Sequence, residues 1–153
     1  MNDFTISCNN ATEQYFNEFF QGKGILEEIS EANIESMKMD ISSTIALSGT
    51  RNYLISIGFE SGMAYEVAGI FLGSPSTPVE PILMKDVIAE VSNILCGRIK
   101  TEMDAPDLKI SLPRVIEGTD HSIFSGRSGI KTRVFTYNVN GKLVMQFLQS
   151  EDG

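Results

Sequence analysis

A chain of 153 residues, 42% hydrophobic and 21% charged, is long enough for one domain with a real core and too short for two comfortable ones. Its 20 acidic and 12 basic residues give a formal net charge of −8, and the basic ones form no dense cluster, which argues against nucleic acid as the natural partner. Apolar runs such as Leu143-Val-Met145 are far below the roughly 18 residues of a membrane span, and Met1-Asn-Asp-Phe4 lacks the basic opening of a signal peptide. A cytoplasmic location is therefore expected, with no membrane contact.

Phe4, Cys8, Ala11, Tyr15 and Phe19 recur at helical spacing, with Phe16 and Phe20 widening the stripe, so the chain opens on a helix. Gly22 and Gly24 interrupt it. Ile25 to Ile29 reads as a further short turn of helix, followed by a polar crossing at Ser30 to Asn33. Cys8 and Cys96 fall within helical patterns and have no metal-ligand spacing, so buried free thiols are expected and no metal centre.

From Met37 to Leu47 the apolar residues Met37, Met39, Ile41, Ile45 and Leu47 fall on alternate positions, the period of a half-buried strand. Gly49-Thr-Arg-Asn52 supplies a turn and Tyr53 to Phe59 the antiparallel partner. Ser61 is the expected N-cap of a helix running to about Leu72, with Met63, Val67, Ile70 and Phe71 at helical spacing and a stop at Gly73-Ser-Pro75.

The stretch Glu80 to Lys100 predicts one long helix, with Pro81 in its first turn, where a missing N–H orphans no partner. Met84, Val87, Ile88, Val91, Ile94, Leu95 and Ile99 share its apolar side. Opposite them, Asp86, Glu90, Asn93 and Gly97 fall within roughly 60° of one another. This stripe is narrow: two acids, a carboxamide and a glycine where a partner's backbone can come close. After a Pro-containing link, Leu108 to Leu112 is a short strand ended by Pro113, Arg114 to Gly118 stays extended, and Ser122 to Gly129 reads as an exposed loop carrying the lone His121 beside it. Lys131 to Val139 and Lys142 to Gln149 alternate around Asn140-Gly141, a strong hairpin signal.

The order helix, hairpin, helix, helix, strand, hairpin argues an α+β fold: an antiparallel sheet of about six strands carrying two long helices and the N-terminal helix. Asp86-x-x-x-Glu90-x-x-Asn93, followed by Ser111-Leu-Pro-Arg-Val-Ile-Glu-Gly118 and preceded by the Gly49 to Gly58 hairpin and its helix, resembles the CheX branch of the CheC/CheX/FliY chemotaxis phosphatases. That resemblance covers most of residues 1–153 as one domain. It implies dephosphorylation of a CheY-like response regulator, with magnesium on the partner and no cofactor of the chain's own.

The resemblance also assigns roles. Asn93 would orient the attacking water and Glu90 would pair with the receiver's lysine, while Asp86 and Gly97 would support docking. Relatives of the CheC type carry two copies of the motif. Here the Ser61 to Leu72 helix offers Glu66 but Gly69 in place of the second asparagine, so one active helix per chain is expected, and a homodimer through a shared sheet edge would supply two. Without the resemblance, the same stripe reads as a solvated helix face. Two alternatives belong to other classes: a non-catalytic module that docks a receiver domain through this helix, and a small ligand-binding domain with a deep apolar pocket elsewhere. Ser111 to Pro113 reads as a strand end, His121 as a bystander, and the seven methionines as core filler.

Overall fold

A computed structural model describes residues 3–22, 24–29, 39–74, 76–121, 130–139 and 142–151. In chain order these form α1 (Asp3–Phe19), β1 (Gly24–Ile29), β2 (Met39–Ser48), β3 (Tyr53–Phe59), α2 (Ser61–Phe71), α3 (Pro81–Glu102), β4 (Lys109–Ile110), β5 (Arg114–His121), β6 (Ile130–Val139) and β7 (Lys142–Glu151). The seven strands make one sheet in the order β1-β6-β7-β3-β2-β4, with β5 also on β2, and every pairing is antiparallel. The α+β architecture read from the periodicities is the architecture found.

The additional strand is β1, where the sequence pattern suggested a turn of helix. A lone helix this short is not stable, because nucleation fixes several residues before a hydrogen bond rewards them. The free edge of β6 offers a ladder instead: Gly24 faces Val139 and Ile29 faces Val134. Leu26 packs against the core and Ile25 is 64% exposed, the alternation of an edge strand. The polar crossing at Ser30 to Asn33, the loop at Ser122 to Gly129 and the Asn140-Gly141 turn lie outside the described residues. The ladder of β6 and β7 does close with Val139 opposite Lys142, the register that a two-residue connection demands.

Odd-numbered residues of β2 and β3, among them Ile41, Ile45, Leu47, Ile55, Ile57 and Phe59, meet the buried faces of all three helices in one core. The aromatic stripe of α1 behaves as its spacing predicts: Phe4, Tyr15, Phe16 and Phe20 are buried, and Phe16 lies 5.4 Å, centroid to centroid, from Tyr137 of β6. Gly24 lies against that same tyrosine ring, and an added Cβ there would overlap it, so the glycine is demanded by close approach.

The start of α2 differs from the expectation. Glu60, not Ser61, is the N-cap, and it makes no side-chain cap bond. Asp40 of β2 serves the helix from outside, its Oδ2 accepting the Ser61 N–H at 2.8 Å. A carboxylate there also complements the positive end of the helix dipole. At the other end Gly73, at φ 72°, donates to Ile70 O while Ser74 donates to Gly69 O, both at 3.0 Å. These are the paired bonds of a Schellman stop. At 11 residues α2 is half the length of α3, which has 22.

Cys8 and Cys96 are free and buried, as expected. Burial pushes the Cys96 thiol up to about 12 and raises Cys8 well above 9.0, with Cys96 adding to that rise. An unfolded thiol gives up its proton near pH ~8.5. Above that pH the unfolded chain therefore holds fewer protons than the folded one, and stability must fall as pH rises. Urea unfolding midpoints are expected to be unaffected by these thiols below pH ~8.5 and to drop progressively toward the folded value of about 12. A Cys8→Ala/Cys96→Ala chain, measured in parallel, should show a shallower decline.

Candidate functional site

Helix α3 crosses the sheet over β2 and β5 and is flanked by α1 and α2. Met84, Val87, Ile88, Val91, Leu95, Cys96 and Ile99 are buried, as the apolar side predicts, and Ile94 is half-buried at its margin. Asp86, Glu90 and Asn93 are exposed, and Gly97 is partly so. The four residues singled out in the sequence thus stand together on the outer face, in a row over about three turns.

Glu90 and Asn93 are adjacent at i, i+3, the spacing at which helix side chains meet. Among the described residues, neither carries an ion pair or a side-chain hydrogen bond. The nearby cations are already engaged. Arg98 holds Glu18 of α1 at 3.0 Å and lies 4.9 Å from the centre of the Tyr15 ring. Lys85 holds Glu117 of β5 at 2.8 Å, and that bond, followed by the charge of Glu117, raises its pKa. These exposed pairs contribute little to stability. Their consequence is positional, because they leave the acid and the amide uncommitted. The expectation that Glu90 and Asn93 stand exposed side by side holds.

Tyr15 lies in the field of Glu90. Burial pushes its phenol up, Arg98 pulls it back, and Glu90 and Glu18 add to the rise. Sequence reasoning placed Tyr15 only in the core stripe of α1 and assigned Arg98 to nothing. The cluster of Tyr15, Glu18 and Arg98 that borders the site had no local signal, because Arg98 comes to the two α1 residues from 80 positions beyond Glu18. Ser92 was missed too. It is 1% exposed between Glu90 and Asn93, and its signal was a hydroxyl on the otherwise apolar side of the helix.

Gly97 has no internal reason to be glycine. A Cβ built there meets nothing within 4 Å, and glycine inside a helix costs about 0.5–1 kcal/mol relative to alanine. Gly97→Ala is therefore expected to raise stability by up to about 1 kcal/mol in urea unfolding while weakening any partner whose backbone rests on that turn. A variant that is more stable and binds equally well would leave the glycine unexplained.

Helix α2 presents no second site of this kind, since Gly69 is buried where the asparagine would stand and Glu66 is half-buried. Ser111 has a structural role: its N–H and Oγ bond Ala46 O and Ala46 N–H, each at 2.9 Å, carrying the sheet edge from β4 toward β5. The backbone of His121 lies in β5, opposite Met39, where a loop was expected. A cleft of about 390 Å³ opens between Asp40, Ser61, Tyr65, Met84 and Glu117, but its walls mix acids with apolar side chains. It is not the deep apolar pocket that a ligand-binding domain needs. Among the described residues no group of three or more potential ligands stands ready for a metal, and no helix is long and apolar enough to cross a membrane.

Fold and site together define a class: an α+β domain whose broad antiparallel sheet braces one helix carrying an exposed acid and carboxamide less than a turn apart. Residues 41–135, which include the whole of α3, match the family model of the chemotaxis phosphatase CheX. The chain belongs to the CheX family. Solved structures share the fold across almost the whole chain. The chemotaxis protein CheX from Vibrio vulnificus superposes with a TM-score of 0.82 at 18% identity, covering 98% of this chain and 100% of that one. A CheC-like superfamily protein from Shewanella sp. PV-4 gives 0.80 at 18% identity, covering 99% of each. CheX from Borrelia burgdorferi, in a complex of CheX, CheY, BeF3 and magnesium, gives 0.78 at 18% identity over 97% and 98%. No curated protein matches the chain in sequence.

Proposed function

We propose that this protein is a phosphatase that removes the phosphoryl group from the aspartyl phosphate of a CheY-like response regulator. The observation that carries this reading is the uncommitted pair on α3, with Glu90 and Asn93 exposed side by side while the neighbouring Lys85 and Arg98 are held elsewhere. Membership of the CheX family and the Borrelia burgdorferi relative's complex with CheY support the choice of partner.

An acyl phosphate is already activated, so a catalyst need only hold a water in line with the phosphorus and leave the partner's own metal undisturbed. Water's oxygen bonds to phosphorus, the bond to the aspartyl oxygen breaks, and inorganic phosphate leaves a free carboxylate behind. Asn93 accepts a hydrogen bond from that water through its amide oxygen, which neither ionises nor competes as a nucleophile. Glu90 pairs with the receiver's active-site lysine and sets the depth of the helix in the pocket. Asp86 supports docking one turn earlier, and Gly97 lets the partner's backbone approach. Magnesium belongs to the partner, whose cation partly offsets the repulsion between an acidic pocket and a chain of net charge −8. Two protomers joined at a sheet edge would present two such helices, in the cytoplasm where response regulators act.

The test is the rate at which phosphorylated CheY-like regulators lose phosphate in magnesium buffer, with and without the purified chain. Faster loss with the chain is expected. If the chain binds a regulator and accelerates nothing, it is a docking module and the enzymatic reading fails.

A further inference from the structure

At the level of Glu90 and Asn93, a polar contact between Ser92 and Ser43 ties α3 to the sheet. The two hydroxyl oxygens lie 2.6 Å apart and are wholly enclosed, with Ser92 1% and Ser43 0% exposed. Ser92 Oγ also lies 3.0 Å from Ile88 O and 2.9 Å from Ala89 O. A hydroxyl has one proton and accepts through its lone pairs. One arrangement satisfies all three distances: Ser43 donates to Ser92, and Ser92 donates to the two helix carbonyls.

The carbonyl of Ala89 is the α-helical acceptor for the N–H of Asn93, by the i to i−4 rule. Ser92 therefore shares an acceptor with the backbone of the residue that carries the amide. Hydroxyls that bond back to the preceding turn tilt the local helix. Ser43 is itself rigid, at the middle of β2 with Ile57 of β3 on one side and Val115 of β5 on the other. Its small side chain and that of Ser92 let helix and strand come close, and the chain of hydrogen bonds fixes the rotation of α3 about its axis. A rotation of a few tens of degrees would swing the Asn93 side chain by more than an ångström.

We infer that Ser92, backed by Ser43, is a positioning residue for Asn93: it sets the angle at which the amide meets the attacking water. This rests on the phosphatase reading above. The test uses Ser43→Ala, Ser92→Ala and the double variant. Removing both buried hydroxyls leaves no orphaned group, and alanine is the better helix former, so the double variant should fold at or above wild-type stability. Thermal unfolding checks that.

With phosphorylated regulator as substrate, the double variant should turn over about tenfold or more slowly at saturation, as a small misplacement of a catalytic group requires. Its KM should change less than its kcat, because the longer Glu90 side chain can re-aim toward the partner's lysine where the shorter Asn93 amide cannot follow the water. In an Asn93→Ala background the serine changes should cause no further loss. A folded double variant with full kcat, or one whose losses add to those of Asn93→Ala, overturns the inference while leaving the phosphatase reading intact. A wild-type chain that accelerates nothing overturns both.

Discussion

Asn93→Ala is expected to slow regulator dephosphorylation by about a hundredfold or more while leaving regulator binding nearly unchanged. On the proposed mechanism the amide oxygen aims the water, and the neighbouring exposed acceptor on that turn, Glu90, is assigned to the partner's lysine and so cannot substitute for it. Alanine is the strongest helix former, so α3 should persist and the protein should be no less stable. Asn93→Asp separates positioning from charge. It keeps the shape and one acceptor oxygen but sets a negative charge against a phosphoryl group, so it too should lose most of the rate. Single-turnover decay at saturating chain, with a binding titration on the same samples, reads both effects. An Asn93→Ala chain that still accelerates decay would remove the asparagine from the mechanism.

For Glu90→Ala the expected loss lies in affinity: a rise of roughly thirtyfold in KM or Kd, or about 2 kcal/mol, as for one partner removed from a buried charge pair. Glu90 has no ion pair within its own chain among the described residues, so its removal breaks nothing there and should not destabilise the fold. It also relieves the repulsion of Asp86 one turn away, worth about 0.2–0.5 kcal/mol. Glu90→Gln keeps length and loses charge, and should fall between wild type and alanine. Raising salt should weaken the wild-type complex more than the Glu90→Ala complex, since screening acts on the lost ion pair. If both respond to salt equally, Glu90 does not face a cation.

The helix face that carries the candidate site was legible because its logic is local. Asp86, Glu90, Asn93 and Gly97 fall on one face by helical geometry alone, and the apolar residues opposite them show which face turns inward. The long elements were legible for the same reason, since α1, α3 and the two hairpins each repeat their pattern over many residues. Where few residues speak, the reading failed: six residues of β1 carry too short a pattern to separate a turn of helix from a strand, and Ser61 looked like its own cap because the acceptor that serves it is 21 positions earlier.

By itself, then, the sequence determined the α+β class, the long helix α3 and the residues on its outer face, because period and spacing are properties of neighbours in the chain. Tertiary structure decided what no spacing encodes. It placed β1 on the edge of β6, where a ladder was available. It drew Lys85 to Glu117 and Arg98 to Glu18, leaving Glu90 without a cation among the described residues. And it set Ser92 against Ser43, 49 positions away, where one chain of hydrogen bonds ties the helix to the sheet beneath Asn93. Those contacts join residues that only packing brings together.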